Sequence, residues 1–257
     1  MRIESIKSFL VGRSLIVRVY TDTGIVGTGE SGLWAHHRWV YAALQDLDGY
    51  YVGQDPARME HHLQVLARNT HFGGSVLSAA LSAMDIALWD ILARSVDLPV
   101  YALLGGRVRD RIRTFANVTG DTLEARAASA RAQVDRGFTS LRTIPMFAGF
   151  EQHDATRVIK DAVAIVQAIR EAIGDEIDLG LEIHRNLDPG NAVLLAQELM
   201  PYRILYYEDP VAPESLEALE YVARHVNIPI ATGERNHTIH QFRSLIDSGA
   251  VAMVRPD

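Results

Sequence analysis

The feature that most constrains this chain is an alternation. From about residue 112, short runs rich in β-branched and aromatic residues alternate with longer helical ones. Strands are expected at 112–117, 139–144, 177–182, 204–208, 228–232 and 250–254, and helices at 122–136, 154–174, 189–200, 214–225 and 238–248. Strands separated by helices cannot pair as hairpins, so they form a parallel sheet with crossover helices. Six such strands suit an open doubly wound sheet or part of a (β/α) barrel. No glycine-rich phosphate loop follows any of them, so the usual mark of dinucleotide binding is missing.

The first 111 residues follow a different pattern, that of a small α+β unit. Ser14 to Tyr20 is strand-like and ends in the turn signal Thr21-Asp22-Thr23-Gly24, with Gly24 to Glu30 as the returning strand. Helical patterns follow at 36–50 and 56–69, the second entered through Asp55-Pro56. The strongest helix is expected at 75–95, where Leu77, Leu81, Met84, Leu88 and Ile91 make one apolar stripe and Ser75 is placed to cap it. Two domains result, 1–111 and 112–257.

Composition limits the function classes. Hydrophobic residues make up 48% and charged residues 22%, ordinary values for a soluble domain. A net charge of −7 argues against nucleic acid or an anionic membrane as partner. With no cysteine, disulfides, thiolate metal sites and cysteine nucleophiles are excluded. The N-terminus has no apolar core of signal-peptide length, and no run is expected to reach the roughly 20 apolar residues of a membrane span. A soluble, cytoplasmic protein is expected.

Three acids carry the chemistry. Glu182, Glu208 and Glu234 each close or follow a strand, at intervals of 26 residues. One β/α unit of a barrel has about that length. Equal spacing is therefore expected to set the three carboxylates at one height on the C-terminal face, where barrel active sites lie. On strands about 4.8 Å apart they would repel one another unless a cation sat between them. An all-oxygen site suits a hard ion, Mg²⁺ first and Mn²⁺ next.

Leu181-Glu182-Ile183-His184, Tyr207-Glu208-Asp209-Pro210 and Thr232-Gly233-Glu234-Arg235 resemble the three metal-ligand motifs of the mandelate racemase and muconate lactonizing enzyme group of the enolase superfamily. The stretch Ser82-Ala83-Met84-Asp85-Ile86-Ala87-Leu88-Trp89-Asp90, then Leu98-Pro99-Val100-Tyr101 and Leu104-Gly105-Gly106, resembles a helix of that group's capping domain. The resemblance runs the whole length. It implies an α+β N-terminal capping domain followed by a TIM-type (β/α) barrel, here incomplete. It also implies proton removal next to a carboxylate, with Mg²⁺ stabilising the enediolate, as the superfamily is known to do with a Lys or His base.

The resemblance also assigns residues. Glu182-x-His184 is similar to the Asp-x-His of acid-sugar dehydratases, whose His protonates the departing hydroxyl, a role that suits imidazole near neutral pH. Strand alternation is expected to put Glu182 and His184 on one side. Arg142 stands where several subgroups carry a Lys-x-Lys, so it is a candidate catalytic residue, with substrate binding or bracing as alternatives. Mannonate dehydratase-like proteins pair an Arg there with a Tyr, but the loop 145–150 has none. Asp257 matches the Asp of a His-Asp dyad, whose His belongs on the next strand. Trp34, His37, Asn117, Asn236 and Arg255 are candidate substrate contacts, while His61 and His62 are expected on a solvated helix.

Two departures qualify this. The first ligand is Glu182 where the family usually has Asp. The family also needs two strands more than the six found here, so either the sequence is a fragment or another copy completes the sheet. The expectation is a Mg²⁺-dependent dehydratase of a sugar acid, giving a 2-keto-3-deoxy acid and forming homo-oligomers. Alternatives are a hydroxy-acid racemase or epimerase of the same family, or a non-catalytic remnant that binds metal.

Overall fold

The structure is a computed structural model describing residues 1–33, 35–69, 71 and 73–256. The chain divides into two compact units, residues 1–110 and 111–257.

The first unit is an antiparallel meander of β1 (Ile3–Val11), β2 (Ser14–Thr21) and β3 (Val26–Ser31), with β2 in the middle. The β2–β3 hairpin matches the expected strands. The preceding β1 does not appear in the sequence reading, because its outer half, Phe9 to Val11, is exposed and breaks the alternation. On β2, Leu15, Val17 and Val19 are fully buried at period two. They meet helices α1 (His37–Tyr51), α2 (Met59–Asn69) and α3 (Ser75–Ser95); a short α4 (Val100–Leu103) follows.

α3 has the expected bounds, but Ser75 lies inside it, and Gly74 takes the capping position without a side-chain bond. α3 is also long and apolar enough to cross a membrane by length and composition, with mean hydropathy 1.7, contrary to the expectation that no segment would be. Here it is a core helix: Ala83, Met84, Ala87, Leu88 and Ile91 are buried among the residues of this unit. It lies directly on β3, where a Cβ on Gly29 would stand 2.0 Å from the Ala83 carbonyl oxygen. His62 corrects another expectation. It is buried, with its ring bonded to the Tyr50 hydroxyl and the Asp55 carbonyl, because α2 packs that face inward.

The second unit runs β4 (Ala116–Asn117), α5 (Leu123–Asp135), β5 (Ser140–Thr143), α6 (Ala155–Ile173), β6 (Asp178–Glu182), α7 (Pro189–Glu198), β7 (Ile204–Glu208), α8 (Leu216–His225), β8 (Ile230–Thr232), α9 (Ile239–Asp247) and β9 (Met253–Val254). All five helices begin on a side-chain cap: Thr122, Asp154, Asp188, Ser215 and Thr238. Each cap accepts a backbone N–H that the helix leaves unpaired. The expected strands 112–117 and 250–254 shrink to two residues each, since few register pairs form at either edge of the sheet.

The six strands are all parallel and lie in sequence order, β4-β5-β6-β7-β8-β9. A doubly wound sheet reverses its order at a switch point, and this sheet does not. The order is that of a barrel wall, so the doubly wound alternative falls. Alternation divides the strands. Leu141, Leu179, Leu181 and Tyr207 are fully buried in the apolar core with Ile165 and Ile169 of α6. The intervening residues, Arg142, Gly180, Glu182, Tyr206 and Glu208, face the other side of the sheet.

Candidate functional site

Glu182 and Glu208 end β6 and β7 and are direct register partners. Both are buried, at 3% and 1% exposure, so two carboxylates lie side by side out of water. Burial first, then the charge of Glu208, pushes the Glu182 carboxyl up to about 8. The countercharge comes from arginine. Arg142, on β5, reaches Glu182 Oε2 at 3.3 Å and Glu208 Oε2 at 3.2 Å through one guanidinium nitrogen, and its Nε donates to Asn117 Oδ1 at 3.2 Å. Arg255 meets Glu208 Oε1 at 2.9 Å. Both guanidiniums lie over the Phe115 ring, 4.8 and 5.5 Å from its centroid. The site thus gathers Asn117, Arg142, Glu182, Glu208 and Arg255 from five strands or strand ends.

Glu234 is placed differently. The register partner of Glu208 on β8 is Ala231, so Glu234 lies three residues further on, in the turn after the strand. Equal sequence spacing does not give equal height here, because loop and helix lengths absorb the difference. The Glu234 carboxylate pairs with Arg185, which also meets Asp209 Oδ2 at 3.1 Å. Asp209 is buried, and the Thr232 hydroxyl donates to its other oxygen. Among the described residues, no three His, Asp or Glu side chains converge as a ready ligand set.

His184 also departs from expectation. β6 stops at Glu182, so strand alternation no longer applies two residues later. His184 and Arg185 take left-handed backbone, φ 57° and 67°, and Asp209 does the same at 43°. Left-handed non-glycine residues are costly, and such clusters mark functional sites. The turn brings the His184 backbone N–H, rather than its ring, to Glu182 Oε1 at 2.8 Å; the residue is exposed.

A cavity of about 390 Å³ opens beyond β4 and β5, lined by Asn117, Thr119, Asp121, Arg126 and Arg142 among others. The sequence reading misses Arg126. It is buried on α5 and donates to the Gly120, Ile144 and Met146 carbonyls and to the Thr143 hydroxyl, tying together the loops after β4 and β5. Asn236 lines a separate cavity of about 240 Å³ against α8 and α9. His37, in the first unit, borders a cavity of about 540 Å³ with Leu10, Arg13, His36 and Trp39, and both its ring nitrogens are buried without a hydrogen-bond partner among the described residues. Trp34 and Asp257 lie outside the described residues.

The sequence reading also misses Asp209, Arg185 and Tyr206. Asp209 directly follows Glu208, and Tyr206 is its i−2 neighbour, so alternation points to the latter. No pattern marks Arg185, whose reach depends on the turn.

Known proteins carry the same plan. Residues 5–105 match the mandelate racemase / muconate lactonizing enzyme N-terminal domain, and residues 125–257 match the enolase C-terminal domain-like family. A D-galactonate dehydratase of Pectobacterium atrosepticum is 38% identical over 262 residues, covering 100% of this chain and 68% of that protein. A solved member of the enolase superfamily from Salmonella Typhimurium superposes with TM-score 0.92 at 28% identity, covering 100% of this chain and 73% of that one. A solved enolase from Pantoea ananatis with bound D-gluconate and Mg superposes with TM-score 0.91 at 27% identity, covering 99% and 71%. The chain belongs to the mandelate racemase/muconate lactonizing enzyme family of the enolase superfamily.

Proposed function

We propose that this protein is a Mg²⁺-dependent hydro-lyase of sugar acids, removing water from an aldonate to give a 2-keto-3-deoxy acid in the cytoplasm. The observation that carries this is the buried Glu182–Glu208 pair, with Arg142 and Arg255 against it at the C-terminal end of a parallel sheet. The naming of relatives as D-galactonate dehydratases and the gluconate and Mg of a structural neighbour support the same reading.

The donor chemistry fits a hard divalent ion. Burial first, and then the charge of Glu208, lifts the Glu182 carboxyl well above its ordinary range, and both costs fall when a cation is shared between the two glutamates. Glu182 and Glu208 would hold the ion, with Glu234 as third ligand. When bound, Mg²⁺ neutralises the charge that develops on the substrate carboxylate as the neighbouring proton leaves.

The protein side supplies the rest. Arg142 and Arg255 provide fixed positive charge for an anionic substrate, and Asn117 orients Arg142 through its Nε. An imidazole N–H of His184 protonates the departing hydroxyl, so that water leaves rather than hydroxide. Asp257 would orient the histidine that the family carries on the strand after it, and that histidine would take the neighbouring proton. Asn236, His37 and Trp34 are proposed substrate contacts, and a homo-oligomer is the proposed assembly.

The test is turnover of an aldonate panel that includes D-galactonate, with Mg²⁺. Keto-acid formation that His184→Ala lowers by about 100-fold or more is expected. No keto acid from any aldonate would overturn the dehydratase reading. Deuterium wash-in without net elimination would favour the racemase or epimerase alternative.

A further inference from the structure

One polar atom on the carboxylate face has no role in the chemistry above. Tyr206 lies two residues before Glu208 on β7 and faces the same side of the sheet. It is 5% exposed, and its hydroxyl is buried without a hydrogen-bond partner among the described residues. An unpaired buried hydroxyl costs stability, whereas a phenylalanine would fill the same space without that cost. Such a group calls for a partner beyond the described residues.

The neighbouring strand is cleared for this ring. Gly180 is the register partner of Tyr206, and a Cβ there would stand 2.3 Å from Tyr206 Cζ and 2.6 Å from its oxygen. Its φ is not in the left-handed region, so backbone geometry does not demand glycine at 180. The demand is space: the phenol occupies the place of a side chain at Gly180. Arg142 is in turn the register partner of Gly180. Arg142, Gly180 and Tyr206 therefore form the rung directly beneath Glu182 and Glu208. The charges of Glu208, Arg255, Arg142 and Glu182 all act on the phenol.

We propose that Tyr206 is a positioning residue for the carboxylate cradle, its hydroxyl donating a hydrogen bond to the oxygens gathered around a divalent cation at Glu182 and Glu208. This rests on the reading of those two glutamates as metal ligands. Groups that hydrogen-bond to ligands fix their orientation and raise affinity, typically by about 10- to 100-fold. Gly180 serves the same end by letting the ring reach the cradle.

The test is calorimetric titration of the metal-free protein with MgCl₂ and with MnCl₂, alongside thermal melts. Tyr206→Phe is expected to melt at or above the wild-type temperature without metal, since it loses only an unpaired hydroxyl. It is also expected to bind both ions about 10-fold or more weakly. Gly180→Ala, which crowds the ring, is expected to weaken binding as well; if it misfolds, Tyr206→Phe decides. Wild-type binding with unchanged affinity in Tyr206→Phe overturns the role of Tyr206 alone. If the wild type binds neither ion, the metal reading fails and this inference fails with it.

Discussion

At the scale of single residues, the site is a problem in charge. Burial, then the charge of Glu208, disfavours the Glu182 anion and outweighs Arg142, which lifts its carboxyl to about 8. The folded protein then binds a proton that the unfolded chain releases near the ordinary carboxylate value. Its contribution is present below that value and is lost as pH rises towards about 8. The metal-free protein is therefore expected to melt at progressively lower temperature between about pH 5 and pH 8, and Glu182→Gln is expected to flatten that slope. A slope unchanged in Glu182→Gln would refute the assignment. Sequence spacing suffices to single out Glu182 and Glu208 because their strands pair in register at the same interval. It does not set the height of Glu234, and strand alternation does not set the side His184 faces, because both positions depend on turns beyond strand ends.

At the scale of elements, most of the helices are legible because their signals are local. The caps of α5 to α9 lie in the sequence where their helices begin, and the capping box of Thr238 and Gln241 forms as such motifs do. The ends of β4 and β9 are not legible, since a strand exists only where a neighbour pairs with it. Close packing of α3 on β3 is also decided by contact. Gly27 and Gly29 lie in the expected returning strand, and contact alone makes them the floor on which α3 rests. Gly29→Ala is expected to destabilise the first unit by at least about 3 kcal/mol, the upper end of overpacking costs, since the clash is with backbone. Urea denaturation followed by tryptophan fluorescence measures this. A loss below about 1 kcal/mol would mean that α3 shifts freely on the sheet.

At the scale of the whole molecule, two apolar cores share no residue, one in each unit. All three tryptophans, Trp34, Trp39 and Trp89, belong to the first unit, while the candidate metal ligands belong to the second. On heating, Mg²⁺ is expected to raise the transition seen by far-ultraviolet dichroism more than the one seen by tryptophan fluorescence. Equal shifts in both signals would show instead that the units unfold as one cooperative block. The sequence by itself determined the alternation of strands and helices from about residue 112, the parallel sheet and the two glutamates at its centre. These follow from local periodicity, capping and a repeat that the strand register happens to keep. Only the tertiary structure decided that Arg142 and Arg255 flank those glutamates, that Glu234 pairs with Arg185, and that Gly180 makes room for Tyr206. Such pairings join residues 26 to 66 positions apart, and their geometry depends on register and turns that no local pattern encodes.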